Sequence, residues 1–150
     1  MEIDDKYKKQ CGSIAVCLEN GKKFTLNNAT TFLKVQIDGD VLPLNDKATR
    51  CDFLLFKEEN SKRLIEIFVE LKGTDVPKAL EQLEGSIQMF GKSSNQYAMA
   101  VVTKMIVTTT IQRRMDNLIK KKKVKQLHIK AKSLQCDYNS QTNSLEAIRN

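Results

Sequence analysis

The chain is poor in the residues that build zinc sites. It has one histidine, His128, and its four cysteines (Cys11, Cys17, Cys51 and Cys136) include no C-x2-C pair. Zinc sites need such thiol pairs or several imidazoles, so the sequence excludes a zinc site and predicts reduced, mostly buried thiols. His128 alternates with apolar residues, which favours a half-buried side chain with a hydrogen-bond partner over a metal ligand.

Long apolar runs and a targeting segment are also missing. The first six residues, MEIDDK, lack the basic and apolar regions of a secretory signal, and no run is long enough to span a bilayer. We therefore expect a cytoplasmic protein that does not associate with membranes. At 150 residues the chain is long enough for a single domain with its own hydrophobic core.

The charge is distributed unevenly along the chain. Residues 1–100 carry 14 basic and 15 acidic side chains, whereas residues 101–150 carry 11 basic and 3 acidic ones. Neutralisation of phosphate by lysine and arginine is the main sequence-independent source of nucleic-acid affinity, so we expect DNA as a partner. The alternative is a solvated helix end, where the helix dipole favours cations. The predicted phosphate contacts are Arg113, Arg114, Lys120, Lys121, Lys122, Lys123 and Lys125.

Apolar periodicity and turn residues predict a mixed succession of strands and helices. Asn20-Gly21 supplies the two positive-φ residues of a type I′ turn, which predicts an N-terminal β-hairpin over 13–27. Asp75 as N-cap and Gly91 as stop bound an amphipathic helix. The other predicted elements are a strand at 32–37, two strands at 50–56 and 65–72, a buried strand at 97–103, a helix from about 108 to 123 and a strand at 126–132.

The strands at 50–56 and 65–72 bring charged residues together. In a symmetric hairpin whose turn centres on Ser61, Asp52 lies across from Glu70, with Cβ atoms roughly 4.5–5.5 Å apart. Because side chains alternate along a strand, Lys72 projects to the same side as Glu70. Two carboxylates and one ammonium therefore share a patch that suits metal-assisted cleavage of a phosphodiester. The alternative is an ordinary cross-strand salt bridge, worth roughly 0–1 kcal/mol.

The other face of the second strand is apolar. Ile65, Ile67, Val69 and Leu71 form this face and need a cover. We expect the helix that follows to pack over it, which would leave the charged face exposed in a cleft.

The order of the acidic residues and elements resembles that of the PD-(D/E)XK nuclease superfamily, which has the restriction-endonuclease-like fold. The residues that carry the resemblance are Asp52 and then Glu70-Leu71-Lys72 on the outgoing strand, followed by a helix and a further strand. The resemblance covers about residues 32–132. It implies an α/β fold with a three-layer core, in which helices flank a mixed central sheet. In this chain the N-terminal hairpin would precede that core, and a C-terminal extension at 133–150 would follow it within one domain.

The resemblance also implies roles for the charged patch. Asp52 and Glu70 would bind Mg²⁺, or Mn²⁺ as a substitute, together with the backbone carbonyl of Leu71. Lys72 would orient or help deprotonate the attacking water and stabilise charge on the phosphate. Hard oxygen ligands of this kind suit both ions.

Gln82 lies about ten residues beyond the lysine, where RecB-type members of the superfamily carry a catalytic glutamine on the following helix. The alternative for Gln82 is a solvated polar pair with Ser86, one turn further on. Many relatives also have an upstream acidic ligand, for which Glu19 and Asp38 are the candidates.

These observations predict a small nuclease that hydrolyses DNA phosphodiesters with Mg²⁺, in restriction, repair or mobile-element defence. A domain of this size holds one active site, so cutting both strands would need a homodimer or sequential nicks, and a larger complex is a further possibility. Two alternatives stay open. One is an inactive nuclease-like nucleic-acid-binding or partner subunit, and the other is an interaction protein whose basic helix docks an acidic partner. Neither needs a divalent metal.

Overall fold

The computed structural model describes residues 1–121 and 124–148. Over these residues the protein is α/β, with two helices and two β-sheets. The elements are a 3-10 turn at Asp5–Tyr7, strands β1 Lys9–Gln10, β2 Ile14–Glu19, β3 Lys22–Asn27, β4 Phe32–Gln36, β5 Phe53–Glu59 and β6 Lys62–Glu70, helix α1 Val76–Phe90, strand β7 Gln96–Val102, helix α2 Thr109–Lys121, and strands β8 Val124–Ala131, β9 Ser133–Asn139 and β10 Ser144–Ala147.

The larger sheet is mixed, as predicted. Its strand order is β1-β4-β5-β6-β7-β8. Strands β4, β5 and β6 pair antiparallel, whereas β6, β7 and β8 pair parallel. The parallel connections pass through α1 and α2, because parallel neighbours need a crossover rather than a tight turn. Strands β6 and β7 therefore end at the same edge of the sheet.

The smaller sheet joins the two ends of the chain. The hairpin of β2 and β3 forms around Asn20 and Gly21, whose φ angles of 51° and 72° match the predicted type I′ turn. Strand β9 pairs parallel with β3, and β10 completes the order β10-β9-β3-β2. The C-terminal extension thus contains two strands that the sequence analysis did not predict. Strand β9 pairs with β3, more than 100 residues earlier in the chain, and β10 pairs with β9.

The cover over the apolar face of β6 differs from the prediction. Ile65, Ile67, Val69 and Leu71 pack against the smaller sheet, including Phe24. The expectation that the following helix covers this face is therefore wrong. The other face of β5 and β6 also carries apolar residues, Leu54, Phe56 and Phe68, and α1 packs there.

Both helices lie on that second face of the larger sheet. Leu54, Phe56 and Phe68 share a core with α1, and the same core includes Leu118 and Met115 of α2. The central sheet is thus flanked by helices on one side and by a second sheet on the other, rather than by helices alone. As a consequence, α1 lies on the face that carries Asp52 and Glu70.

Helix α1 has the predicted ends. The Asp75 side chain accepts a hydrogen bond from the N–H of Lys78 at 3.0 Å, which caps the first turn. At the other end, the N–H of Gly91 donates to the carbonyl oxygen of Ile87 at 2.9 Å. The predicted apolar stripe is buried, from Val76 to Phe90.

A buried ion pair attaches β6 to the segment after α1. Glu66 has no exposed surface, and its carboxylate accepts hydrogen bonds from Arg63 at 2.7 Å and Gln96 at 3.0 Å. The N–H groups of Lys92 and Ser93 also donate to it, at 3.0 and 2.8 Å. A buried carboxylate with a cation and several donors is fully satisfied, so Glu66 has a structural role.

The cysteines and the histidine lie as predicted. Cys17, Cys51 and Cys136 are buried free thiols, and Cys11 is half-buried. His128 is half-buried, and its Nε2 lies 2.8 Å from the side-chain oxygen of Gln126. Among residues 1–121 and 124–148, no helix has the length and apolarity needed to cross a membrane.

Helix α1 packs closely against the segment before Asp52. A Cβ atom on Gly85 would lie 2.4 Å from the carbonyl oxygen of Thr49 and 3.0 Å from its carbon. Gly85→Ala should therefore destabilise the protein by roughly 1–3 kcal/mol through overpacking, although alanine is the better helix former. Urea unfolding measures the difference.

Gly12→Ala is the matched control, because a Cβ atom there meets nothing within 4 Å. We expect this variant to unfold like the wild type. A Gly85→Ala protein that is as stable as the wild type would show that the helix can move away from Thr49.

Candidate functional site

A cleft of about 280 Å³ opens at the edge of the larger sheet where β6 ends. Its lining includes Asp52, Glu70, Lys72 and Gln82, the four residues predicted to be catalytic. The strand ends, the loop after β4 and the first turns of α1 form its walls. The fold therefore brings together residues that are up to 30 positions apart in the chain.

The hairpin register places Asp52 across from Glu70. Phe53 pairs with Val69, and the N–H of Asp52 donates to the carbonyl oxygen of Val69 at 3.1 Å. The turn itself centres on Asn60 and Ser61 rather than on Ser61 alone, and a bulge between residues 57 and 58 restores the predicted register.

The two carboxyl groups are buried, not exposed. Asp52 and Glu70 each expose only 2% of their surface, so the prediction of an exposed charged face is wrong for this pair. The reason is that α1 packs on their face of the sheet. They form the floor of the cleft.

Asp52 is held by the backbone of the strand opposite. Its Oδ2 atom accepts hydrogen bonds from the N–H of Leu71 at 2.6 Å and from the N–H of Lys72 at 2.8 Å. Asp52 is therefore fixed in direction by the backbone.

Glu70 is the protonated member. Burial, the charge of Asp52 and a hydrogen bond to Asp52 together raise the pKa of Glu70 from its ordinary value near 4.5 to about 9. Two carboxyl groups in one dry site cannot easily both be ionised. At neutral pH Glu70 thus holds a proton.

The donor set of this pair fits a hard divalent cation. A cation beside Asp52 and Glu70 would offset the repulsion that keeps Glu70 protonated. Within residues 1–121 and 124–148, no three His, Cys, Asp or Glu side chains form a group that could hold a metal. Water and substrate phosphate would have to complete the shell, as is usual for Mg²⁺.

Lys72 forms ion pairs on the wall of the cleft. Its Nζ atom donates to Oδ2 of Asp38 and lies 3.9 Å from Oε1 of Glu19. The hydrogen bond to Asp38 raises the pKa of Lys72, so the amine is a cation at neutral pH. This favours charge stabilisation by Lys72 over removal of a proton from water. Asp38 and Glu19 were the candidates for an upstream metal ligand. In this structure both form ion pairs with the ammonium group of Lys72.

Arg50 organises the loop on the other side of the cleft. Its Nε atom donates to Oδ1 of Asp38 at 2.9 Å, and its guanidinium also donates to the carbonyl oxygens of Pro43 and Ala48 at 3.0 and 2.9 Å. Burial would raise the pKa of Asp38, but the bonds from Lys72 and Arg50 hold it below its usual value. The sequence analysis assigned Arg50 to a strand and missed this role, because no periodic pattern marks it.

Gln82 and Ser86 hold the backbone that leads to Asp52. The side-chain oxygen of Gln82 accepts from the N–H of Arg50 at 2.9 Å. The hydroxyl oxygen of Ser86 accepts from the N–H of Cys51 at 2.7 Å, and Ser86 is fully buried. The two residues are therefore not a solvated pair. In this structure Gln82 positions the strand from the edge of the cleft.

The predicted basic residues lie at different distances from the cleft. Arg114 binds Oε1 of Glu84 at 3.3 Å and lies 3.5 Å from the carbonyl oxygen of Pro77, in the first turn of α1. Arg113 is exposed on α2. The start of α2 is thus near the cleft.

The lysines that follow are remote from the cleft. Helix α2 runs from the edge where β6 ends to the edge where the parallel strands begin. Lys120, Lys121 and Lys125 lie at that far edge, and Lys125 lines a separate cavity of about 1200 Å³. Lys122 and Lys123 lie outside the described residues. Two lysines that the sequence analysis did not single out, Lys47 and Lys78, line the cleft instead.

No family model, curated protein or solved structure matches this chain.

The raised pKa of Glu70 predicts how stability depends on pH. Between about pH 4.5 and 9 the folded protein holds a proton that the unfolded chain releases, so stability should fall as pH rises through this window. For one proton the slope approaches roughly 1.4 kcal/mol per pH unit. Glu70→Gln should flatten the slope, as measured by urea unfolding in EDTA between pH 6 and 9.

Glu81→Gln is the control, because Glu81 is exposed on α1. This variant should keep the wild-type slope. If Glu70→Gln also keeps it, the proton is not held by Glu70.

Proposed function

We propose that the protein is a Mg²⁺-dependent deoxyribonuclease of the cytoplasm, with a restriction-endonuclease-like core. The observation that carries this proposal is the convergence of Asp52, Glu70 and Lys72 in one cleft. Two carboxyl groups at the end of a β-hairpin, next to an ammonium, are the groups that metal-assisted phosphodiester hydrolysis uses.

The charges around the carboxyl pair suit a phosphodiester substrate. Lys47, Lys72 and Lys78 line the cleft with Arg50, so a phosphate there would meet several cations. Electrostatic stabilisation of an oxyanion is strongest where water is excluded, as on the floor of this cleft. The buried carboxyl pair would thus bind the metal, and the surrounding cations would bind the phosphate.

Each residue has a role that follows from its contacts. Asp52, Glu70 and the carbonyl of Leu71 would hold the Mg²⁺. The ion would lower the pKa of the attacking water, polarise the phosphoryl oxygen and stabilise the leaving group. Lys72 remains protonated beside Asp38 and would stabilise the charge on the phosphate. Gln82 would act as a positioning residue.

The topology supports the proposed core. A β-hairpin that carries the acidic pair, then α1, then β7 parallel to β6, is the succession that the resemblance implies. The second sheet would be an addition to that core. One cleft per chain would cut one strand, so we propose a homodimer, a larger complex or sequential nicks for cleavage of a duplex.

A second candidate is a nucleic-acid-binding subunit without catalysis. In this structure Lys72 is engaged by Asp38, and the described residues bring only two carboxyl groups together on the cleft floor. The same cations would still bind phosphate. Cleavage assays separate the two candidates, because only the nuclease depends on Mg²⁺.

Glu70→Gln should abolish cleavage while keeping the shape of the side chain. We expect the wild type to cut DNA in Mg²⁺ and to stop in EDTA, and we expect the variant to be slower by a factor of about 10²–10³ or more. Gel assays on linear, nicked, branched and single-stranded DNA, and on RNA, measure this. Glu81→Gln serves as the control and should cut like the wild type. Equal rates for Glu70→Gln and the wild type would contradict the proposal.

The position of the cations predicts which lysines bind the substrate. Lys47→Ala/Lys78→Ala and Lys120→Ala/Lys121→Ala each remove two charges, so they form a matched pair. Because Lys47 and Lys78 line the cleft, their removal should weaken DNA binding more and reduce the salt dependence by about two phosphate contacts. Fluorescence anisotropy over a range of salt concentrations measures both. A larger loss with the Lys120/Lys121 variant would place the DNA on the far edge.

A further inference from the structure

A second cavity, of about 1200 Å³, opens at the edge of the larger sheet where β7 begins. It is formed by the start of the chain, the turn between β5 and β6, the loop between α1 and β7, the start of β8 and the turn between β9 and β10. Apart from Leu64 and Tyr97, the described residues that line it are polar or charged. Small-molecule sites typically enclose roughly 300–1,000 Å³, so the cavity has room for a small polar ligand.

Arg63 lines this cavity and is fixed from behind. Its Nη1 atom donates to Oε2 of Glu66 at 2.7 Å and to the carbonyl oxygen of Phe90 at 2.9 Å. The guanidinium carbon lies 4.3 Å from the centre of the Phe56 ring, which is a cation–π contact. The side chain exposes only 4% of its surface. A buried arginine held in this way presents its remaining donors in a set direction.

The other side of the guanidinium has two free donors. Among residues 1–121 and 124–148, Nε and Nη2 of Arg63 have no hydrogen-bond partner. These two atoms are not fully buried, because every fully buried side-chain nitrogen or oxygen of the same residues has a partner. The surface that Arg63 exposes is in the wall of the cavity, so the free donors face it. Nε and Nη2 together form the planar fork that binds two oxygen atoms of one phosphate or carboxylate.

Two lysines approach the same cavity from different strands. Lys62 begins β6, and Lys125 is the second residue of β8. Strand β7 lies between these two strands, so their starts are about 10 Å apart, within reach of one ligand for two long side chains. Both lysines are exposed in the lining, and neither forms an ion pair with a residue that the structure describes.

The charges of the lining favour an anionic ligand. Five cations and three carboxylates line the cavity. Two of the carboxylates, Glu2 and Asp5, bind lysines of the same lining, and the third, Glu58, is exposed at the bulge of the β5–β6 hairpin. Even with Glu66 counted behind Arg63, the cations are in excess. An anion that enters the cavity therefore meets an arginine fork and two lysines without partners of their own.

We propose that this cavity binds the phosphate group of a small polar molecule, such as a nucleoside monophosphate or a sugar phosphate. Nε and Nη2 of Arg63 would donate to two of the phosphate oxygens. A phosphate monoester carries most of a second negative charge at neutral pH, which Lys62 and Lys125 would offset, so it fits better than a carboxylate. Hydroxyl groups in the lining, among them those of Ser94 and Thr142, would bind the hydroxyl groups of the sugar.

The phosphate site is separate from the cleft. Arg63 and Glu70 lie toward opposite ends of β6, seven residues apart, which is roughly 23 Å along an extended strand. A ligand of the cavity would not touch the acidic pair. The proposal is therefore independent of the nuclease function.

The first test measures binding of adenosine 5′-monophosphate in EDTA, with adenosine as the uncharged counterpart. A ligand that binds only the folded protein raises Tm in proportion to its affinity and concentration, so the monophosphate should raise Tm and adenosine should not. Arg63→Lys keeps a cation for Glu66 but removes the fork. Its affinity for the monophosphate in isothermal titration calorimetry should fall at least about tenfold, the size of one charge-assisted hydrogen bond.

A second variant keeps the buried arginine, so that its result does not depend on how Arg63→Lys folds. Lys62→Ala/Lys125→Ala changes two exposed residues and should lower the affinity for the monophosphate about tenfold, because it removes both lysines that meet the second charge. Lys47→Ala/Lys78→Ala is the matched control. It removes two lysines from the cleft instead, and it should bind the monophosphate like the wild type.

Three results would overturn the proposal. The first is a Tm that adenosine and its monophosphate shift equally, or that millimolar monophosphate does not shift. The second is an affinity that falls with Lys47→Ala/Lys78→Ala but not with Lys62→Ala/Lys125→Ala, which would place the phosphate in the cleft. The third is a loss that Lys62→Ala/Lys125→Ala shows for duplex DNA alone. If the monophosphate binds as expected but the wild type never cleaves DNA in Mg²⁺, the nuclease proposal fails and the phosphate site stands.

Discussion

The register of the β5–β6 hairpin is the constraint on which the cleft depends. It aligns Asp52 with Glu70 and lets the carboxylate of Asp52 accept the N–H groups of Leu71 and Lys72, at 2.6 and 2.8 Å. A slip of one residue would turn every side chain of one strand to the other face of the sheet. Positive φ angles at Asn60 and Ser61, and the bulge beside them, fix the turn that prevents this slip.

Two glutamates on the same face of β6 have different roles. Glu66 and Glu70 both lie on the helix-covered face of β6. Glu66 has Arg63 as counter-ion and further donors around it, so its charge is fully compensated. Glu70 has a second carboxyl group, Asp52, as its neighbour and holds a proton instead. Among residues 1–121 and 124–148 no lysine or arginine forms an ion pair with Asp52 or Glu70, so this pair is chemically suited to receive a cation, whereas the compensated Glu66 is suited to hold the fold together.

The surroundings of the acid pair are arranged by a small number of polar contacts. Arg50 and Lys72 share Asp38, which joins the loop after β4 to the end of β6. The side chains of Gln82 and Ser86 in α1 accept hydrogen bonds from the N–H groups of the two residues before Asp52. These contacts are possible because Gly85 lets the helix approach the strand closely. The residues that lead to the carboxyl groups are thus held by side chains of α1, and Lys47 and Lys78 line the cleft beside them.

The sequence by itself determined the local structure of the two predicted hairpins and of helix α1. Asn20-Gly21 fixed the first hairpin, Asp75 and Gly91 fixed the ends of α1, and strand parity brought Asp52 to Glu70, because turn chemistry, capping and alternation act over a few residues. Tertiary structure alone decided which layer covers each face of β6, since apolar side chains pack on both faces of the hairpin and do not by themselves distinguish a helix from a sheet. It also decided that β9 pairs with β3, that Asp38 binds both Arg50 and Lys72, and that Lys120 and Lys121 lie far from the cleft. These relations join residues distant in the chain, and no local pattern records which distant partner will fill a given position.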